Sequence, residues 1–119
     1  MKPFVILIIS LMLGGIAHAQ QSQDSIMITI FLKHQEDKNL DSIQVIQKKN
    51  HFSDLFPPKS ARVVSWYVMM GVGQVVTVKI PASELRTLNL SIEKGAWGAF
   101  NTAFYPTYDY MPVWKSMQK

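Results

Sequence analysis

The chain has 119 residues, a formal net charge of +4 and no cysteine. The lack of cysteine excludes disulfide bonds, a thiolate metal site and a lipid anchor attached through a cysteine. The basic residues are scattered along the chain, whereas a protein that binds nucleic acid concentrates them in a patch or stripe. The composition therefore argues against a nucleic-acid partner and leaves the stability of the fold to packing.

Residues 1–19 are predicted to form an export signal. Lys2 gives a positive start, residues 4–13 are apolar, and Ala17 and Ala19 are the small residues of a cleavage site. The apolar run is shorter than the roughly 20 residues of a membrane-spanning helix, so an uncleaved anchor is the less favoured alternative. Removing 19 of the 119 residues leaves 100, enough for one domain over residues 20–119. We expect a periplasmic or secreted protein with no stable membrane anchor after cleavage.

The first element of the predicted domain is a strand over residues 26–33, which alternate in period two and are rich in β-branched types. One side of this strand is uniformly apolar, and the other side is mixed and carries Phe31. Asn39 is placed to cap a helix whose apolar stripe reaches about residue 50. Apolar residues continue beyond that stripe until prolines 57 and 58 end the element.

A β-hairpin follows, with strands over residues 61–70 and 74–80. The connection contains two glycines, which permit the positive φ angles of a tight turn. Both sides of the first hairpin strand are apolar enough to be buried. We expect Trp66 to face the helices and Tyr67 to face away from them.

The second half ends in a helix and a last strand. Pro81 begins the helix, and Gly95 or Gly98 ends it. The last strand falls within residues 101–108, and Pro106 indicates that this strand bends or lies at an edge of the sheet.

The order strand-helix-strand therefore occurs twice, which predicts an α+β fold of the ferredoxin-like type, βαββαβ. In this arrangement a four-stranded antiparallel sheet carries two helices on one face. The other face would contain Phe31 and Tyr67 alongside Thr29, Lys33 and Thr77. Large apolar groups are rarely left in water. Since the chain has no further element to spare, we expect a homodimer whose two sheets face each other and form a partly polar barrel.

With these elements over residues 26–114, the chain resembles the dimeric α+β-barrel superfamily. Its small members include muconolactone isomerase-like, antibiotic-biosynthesis-monooxygenase-like and stress-responsive barrel proteins. The resemblance is carried by the order and lengths of the elements and by the two-sided sheet. It implies a pocket, bounded by sheet and helices or by the dimer barrel, where small aromatic or lactone-like molecules bind or react.

His34 and Asp109 are the candidate catalytic residues. Histidine titrates near neutral pH and can transfer protons, although His34 is also explained as a solvated loop residue. Asp109 lies between two tyrosines; if the rings shield it, its carboxyl group is a candidate acid or base, and if they do not, it supports a turn. Two separated histidines give no metal-binding pattern, so we predict neither a metal nor a cofactor.

The segment from residue 93 to residue 114 is unusually rich in aromatic side chains. Aromatic walls with a few polar groups are typical of small-molecule pockets. The candidate ligand-binding residues are Phe31, Trp66, Tyr67, Tyr105 and Tyr108. We assign the other large rings to packing, with Trp97 and Phe100 between the second helix and the sheet and Trp114 against a partner copy.

Three functions remain open at this point. The first is binding of a small aromatic ligand in a pocket, without a reaction. The second is a cofactor-free isomerase or monooxygenase-like enzyme, in which His34 or Asp109 moves a proton and Tyr67 or Tyr108 orients the substrate. The third is assembly or docking through the aromatic segment. Binding ranks first because the sequence offers pocket walls but no convincing nucleophile, acid–base pair or metal site.

Overall fold

The computed structural model describes residues 24–118. The chain forms β1 (Ser25–His34), α1 (Leu40–Lys49), α2 (Phe52–Leu55), β2 (Arg62–Met69), β3 (Gly73–Pro81), α3 (Leu85–Gly95), β4 (Phe100–Thr107) and α4 (Met111–Met117). A 3-10 turn over Ala82–Glu84 leads into α3. The predicted export signal lies outside the described residues. No helix between residues 24 and 118 has both the length and the hydropathy needed to cross a membrane.

The four strands form one antiparallel sheet in the order β2-β3-β1-β4. β1 pairs with β3 on one side and with β4 on the other, and β2 completes the sheet next to β3. This is an α+β fold with ferredoxin-like strand order, which confirms the predicted fold class. Pro106 lies in β4, an edge strand, where the missing N–H removes no hydrogen bond from the interior of the sheet.

The hydrophobic core lies between one face of the sheet and the helices. On the sheet side, the core consists of alternate side chains of the two central strands, β1 and β3: Ile28, Ile30, Leu32, Val76, Val78 and Ile80. Helical and loop residues cover them: Ile43, Phe52, Phe56, Leu88 and Ile92. The period-two pattern of β1 and β3 therefore identified the buried side of both strands.

Two asparagines fix the ends of the helices. Asn39 caps α1, since its Oδ1 accepts a hydrogen bond of 2.9 Å from the backbone N–H of Ser42. Asn50 follows α1, and its Nδ2 donates to the carbonyl oxygen of Trp97 at 2.8 Å and to that of Gly95 at 3.3 Å. Asn50 thereby joins the end of α1 to the last residue of α3 and to the turn that follows α3.

One prediction about the second half is wrong, and one element was not predicted. Trp97 does not pack between helix and sheet: it is 73% exposed, because α3 ends at Gly95 and the small residues Ala96 and Ala99 take the buried positions of the turn that follows. Phe100, in contrast, is buried as expected. The sequence reading also missed α4.

Candidate functional site

The face of the sheet that points away from the helices is the candidate site, and we call it the open face. The strand register arranges its side chains in four rows that cross the sheet from β2 to β4. The end row is Met69, Gly73, Lys33 and Asn101, and the aromatic row is Tyr67, Val75, Phe31 and Ala103. The hydroxyl row is Ser65, Thr77, Thr29 and Tyr105, and the cationic row is Arg62, Lys79, Met27 and Thr107. Successive rows are two residues apart along each strand, roughly 7 Å.

Aromatic side chains on the open face are accessible to solvent. The rings of Phe31 and Tyr105 meet edge to face, with centroids 5.6 Å apart and planes at 83°. Tyr105 is 55% exposed and Tyr67 is 68% exposed. Since edge-to-face pairs hold their rings in a defined orientation, Phe31 and Tyr105 form a preorganised apolar corner on the sheet.

A chain of hydroxyl groups runs beside this corner. Thr29 Oγ1 lies 3.0 Å from Thr77 Oγ1 and 2.7 Å from Thr107 Oγ1. Thr107 Oγ1 also donates to the carbonyl oxygen of Tyr105 at 2.9 Å. A hydroxyl group has a single proton, so the chain runs in one direction, from Thr77 through Thr29 to Thr107. All three protons are then used, the last one in the bond to Tyr105, and the hydroxyl oxygens keep lone pairs that can act as acceptors.

The corner and the hydroxyl groups border one depression of about 500 Å³. Its lining residues come from the two neighbouring strands β1 and β4: Thr29, Phe31, Lys33, Ala103, Tyr105 and Thr107. The depression thus combines an apolar wall, hydrogen-bond acceptors and one cationic side chain, which is the mixture found in small-molecule sites.

The five predicted ligand-binding residues lie in three different places: the open face, the side of the sheet covered by the helices, and the segment after β4. Phe31, Tyr67 and Tyr105 lie on the open face. Trp66 faces the helices as expected, and its ring contacts that of Phe56 at a centroid distance of 5.5 Å. It remains 39% exposed because it lies on the edge strand β2. Tyr108 follows the end of β4 and is exposed.

His34 lies on the opposite side of the sheet from the depression. It follows Leu32 on the core side of β1, and its ring is 5.8 Å from that of buried Phe100. It borders a polar depression of about 650 Å³ together with Glu36 and Asp37 of the loop after β1. Lys33, at the end of the open face, lines both this depression and the one with the aromatic corner. The structure therefore does not bring His34 together with the aromatic corner.

Asp109 occupies the turn before α4. Its Oδ1 accepts a hydrogen bond of 2.9 Å from the backbone N–H of Met111. Asp109 therefore supports a turn, which was the second of its two predicted roles. β4 ends where Thr107 pairs with Met27, whereas His34 pairs with Phe100 at the other end of β1. Seven residues of strand, roughly 23 Å, separate those two pairing positions. His34 and Asp109 consequently form no acid–base pair.

The sequence reading placed Thr29, Lys33 and Thr77 on the uncovered face but did not count them as site residues, and it missed Thr107 altogether. Alternation in period two put Thr29 and Lys33 beside Phe31 on one strand. The position of Thr107 depends on the register between β1 and β4, which the sequence of either strand alone does not determine. Within residues 24–118 no three His, Cys, Asp or Glu side chains are grouped as metal ligands would be.

A second, more apolar groove of about 580 Å³ lies between α3 and β4. Leu85 and Phe104 line it, and none of the predicted ligand-binding residues does. This is the position of the pocket expected between sheet and helices. Because its lining has few polar groups to orient a ligand, the depression on the open face is the stronger candidate.

Comparison with protein-family models, with curated proteins and with solved structures finds no match to this chain. The functional assignment is accordingly drawn from the geometry of the open face.

Proposed function

We propose that the protein is an exported small-molecule-binding protein whose ligand lies on the open face, against Phe31 and Tyr105. The observation that carries this proposal is the juxtaposition of the edge-to-face ring pair with the directed hydroxyl chain in one depression. The two rings stand at 83° to each other and offer two apolar walls, and the hydroxyl chain offers acceptors beside them. A small, flat ligand with a hydrogen-bond donor at one end complements both.

We further propose that two copies bind through their open faces and enclose the ligand. In a single copy Tyr67, Met69 and Tyr105 are all exposed, and contiguous apolar groups of this size mark interaction surfaces. A small domain buries a modest share of its surface by itself and gains stability from association. This arrangement is the one expected from the resemblance to the dimeric α+β-barrel superfamily, and membership in that superfamily is part of the proposal.

Binding is preferred to catalysis for a specific reason. A proton-transferring residue must reach the reacting atoms within hydrogen-bond distance. His34 lies on the other side of the sheet from the depression, and the Asp109 carboxylate accepts a backbone hydrogen bond in the turn before α4. The depression itself is lined by hydroxyl groups, rings and one lysine.

Calorimetric titration with a panel of flat aromatic compounds tests the proposal. The wild-type protein is expected to bind at least one of them with a dissociation constant below about 100 μM, a free energy of about −5.5 kcal/mol. Tyr105→Ala removes one ring of the corner and is expected to weaken binding about tenfold or more, since such rings bury a large area in contact with a ligand.

Trp97→Ala is the control, because Trp97 is also an exposed aromatic residue but lies outside the depression. Its affinity should equal that of the wild type. A panel with no bound compound, or equal losses in Tyr105→Ala and Trp97→Ala, would refute a site at the aromatic corner.

A further inference from the structure

The open face is strongly cationic. Lys33, Arg62 and Lys79 lie on it, and its four rows contain no Asp or Glu. Arg62 and Lys79 are directly opposite each other on neighbouring strands, an arrangement in which like charges repel. Within residues 24–118 the ion pairs are Lys38 with Asp37 and His51 with Asp54, so the three basic side chains of the open face have no ion-pair partner in that range.

The open face of a second copy does not supply a negative charge either. Its open face carries the same three cations, so a face-to-face pair would bring six of them together around the enclosed space. Charges that are removed from water without a partner cost free energy, and an opposite charge offsets part of that cost. An anion bound between two paired open faces therefore favours their association.

One of the three cations lies inside the depression. Lys33 lines it together with Phe31, which is two residues earlier on the same strand. Lys79 lies in the cationic row, three rows from Lys33 and roughly 20 Å along the sheet. A ring that rests on Phe31 can therefore place a substituent at Lys33 but not at Lys79.

We propose that the ligand is an aromatic carboxylate whose ring rests on Phe31 and Tyr105 and whose carboxylate pairs with Lys33. The inference extends the proposed function, on which it rests, by assigning the chemical class of the ligand and the residue that selects it. The free acceptors of the hydroxyl row, two rows from Lys33, receive a donor group at the opposite end of the ring system.

The test compares 6-hydroxy-2-naphthoate with its neutral counterpart 6-hydroxy-2-naphthamide by calorimetry at low ionic strength. Both probes have the same ring system and the same hydroxyl group, so they differ at the carboxyl end. The wild-type protein is expected to bind the carboxylate about tenfold more tightly than the amide, since the carboxylate forms an ion pair with the lysine, whereas the neutral amide only accepts a hydrogen bond from it. Raising the salt concentration should reduce this preference.

Lys33→Gln and Lys79→Gln are the matched variants, because each removes one cation of the open face. Both side chains are exposed, so thermal unfolding should be close to that of the wild type in each. The preference for the carboxylate should disappear in Lys33→Gln and persist in Lys79→Gln.

The other outcomes contradict the inference in distinguishable ways. Equal affinity for both probes overturns the anionic class and leaves the binding function standing. Loss of the preference in Lys79→Gln, with Lys33→Gln unchanged, overturns the role of Lys33. If neither probe binds, the inference fails; if no neutral member of the aromatic panel binds either, the proposed function fails with it.

Discussion

Gly73 shows how strictly a single position of this sheet is specified. It begins β3 at the end of the hairpin, with a φ angle of +148°, and a Cβ added there would overlap the carbonyl oxygen of Leu32 in the neighbouring strand. Gly71, in the same turn, has a φ angle of +80° but open space around its Cβ position. A substitution at Gly71 therefore measures the free-energy cost of the backbone angle alone, whereas one at Gly73 measures that cost together with the cost of a steric clash.

Gly73→Ala is expected to lower the free energy of unfolding by about 3 kcal/mol or more, since backbone strain and overpacking act together. Gly71→Ala should lower it by about 1–2 kcal/mol, from the backbone angle alone. Urea unfolding of both variants measures the difference. Equal losses would mean that the strand beside Gly73 moves to accommodate the methyl group.

The orientation of several side chains at the site could be predicted from the sequence pattern. Alternation along β1 and β3 placed Thr29, Lys33 and Thr77 on the same side as Phe31, and the register confirms it. The orientations of Trp66 and Tyr67 were also predicted correctly, although both sides of β2 are apolar. The exposure of Trp97 was predicted wrongly, because residue type alone does not reveal that two alanines fill the buried positions next to it.

At the scale of elements, α1 depends on a cap that the sequence identifies. Asn39 accepts the backbone N–H of Ser42, one of the four N–H groups that have no partner within the helix. Its neighbours in the first turn include Asp41, which interacts favourably with the positive end of the helix dipole. The start of α1 is therefore determined locally.

Asn39→Ala is expected to lower the free energy of unfolding by about 1 kcal/mol, while Asn39→Asp, which also accepts the N–H, should lose much less. Chemical unfolding of the three proteins provides the measurement. Ser60→Ala serves as a control polar-to-alanine change, since Ser60 is exposed and lies outside the helices and strands. A loss in Asn39→Asp as large as in Asn39→Ala would contradict the capping role.

The C-terminal helix α4 is the element that the sequence reading missed. Its signals are a short polar turn at Asp109 and Pro112 in the first turn, where the missing N–H has no cost. The apolar side chains of α4, among them Val113 and Trp114, are about half exposed. Seven residues are too few for a stable isolated helix in water. The assignment of Trp114 to a partner copy stays a prediction.

At the scale of the whole molecule, the apolar surface is distributed unevenly. The central strands are buried on the side of the helices, whereas the edge strand β2 is exposed along most of its length. Two of its exposed side chains, Tyr67 and Met69, lie on the open face, and contiguous exposed apolar groups mark interaction surfaces. This exposure supports the proposed association of two copies.

The association is tested by comparing Tyr67→Lys with Val45→Lys by light scattering over a range of micromolar concentrations. Tyr67 lies on the open face and is 68% exposed, and Val45 lies on α1 and is 67% exposed. The wild type and Val45→Lys are expected to be dimers, whereas Tyr67→Lys should dissociate at concentrations about tenfold higher or more, because it adds a cation to a cationic interface. A monomeric wild type would contradict the proposal.

The sequence by itself determined the identity and order of the strands along the chain, the buried side of β1 and β3 and the cap of α1. Each of these depends on interactions between residues close together along the chain, or on a periodicity within one element. The tertiary structure alone decided the row that joins Thr77, Thr29 and Tyr105, the separation of His34 from the aromatic corner, and the exposure of Trp97. Those features depend on the register between strands and on which side chains the helices cover. Contacts between distant parts of the chain determine the register and the coverage, so neither follows from a local sequence pattern.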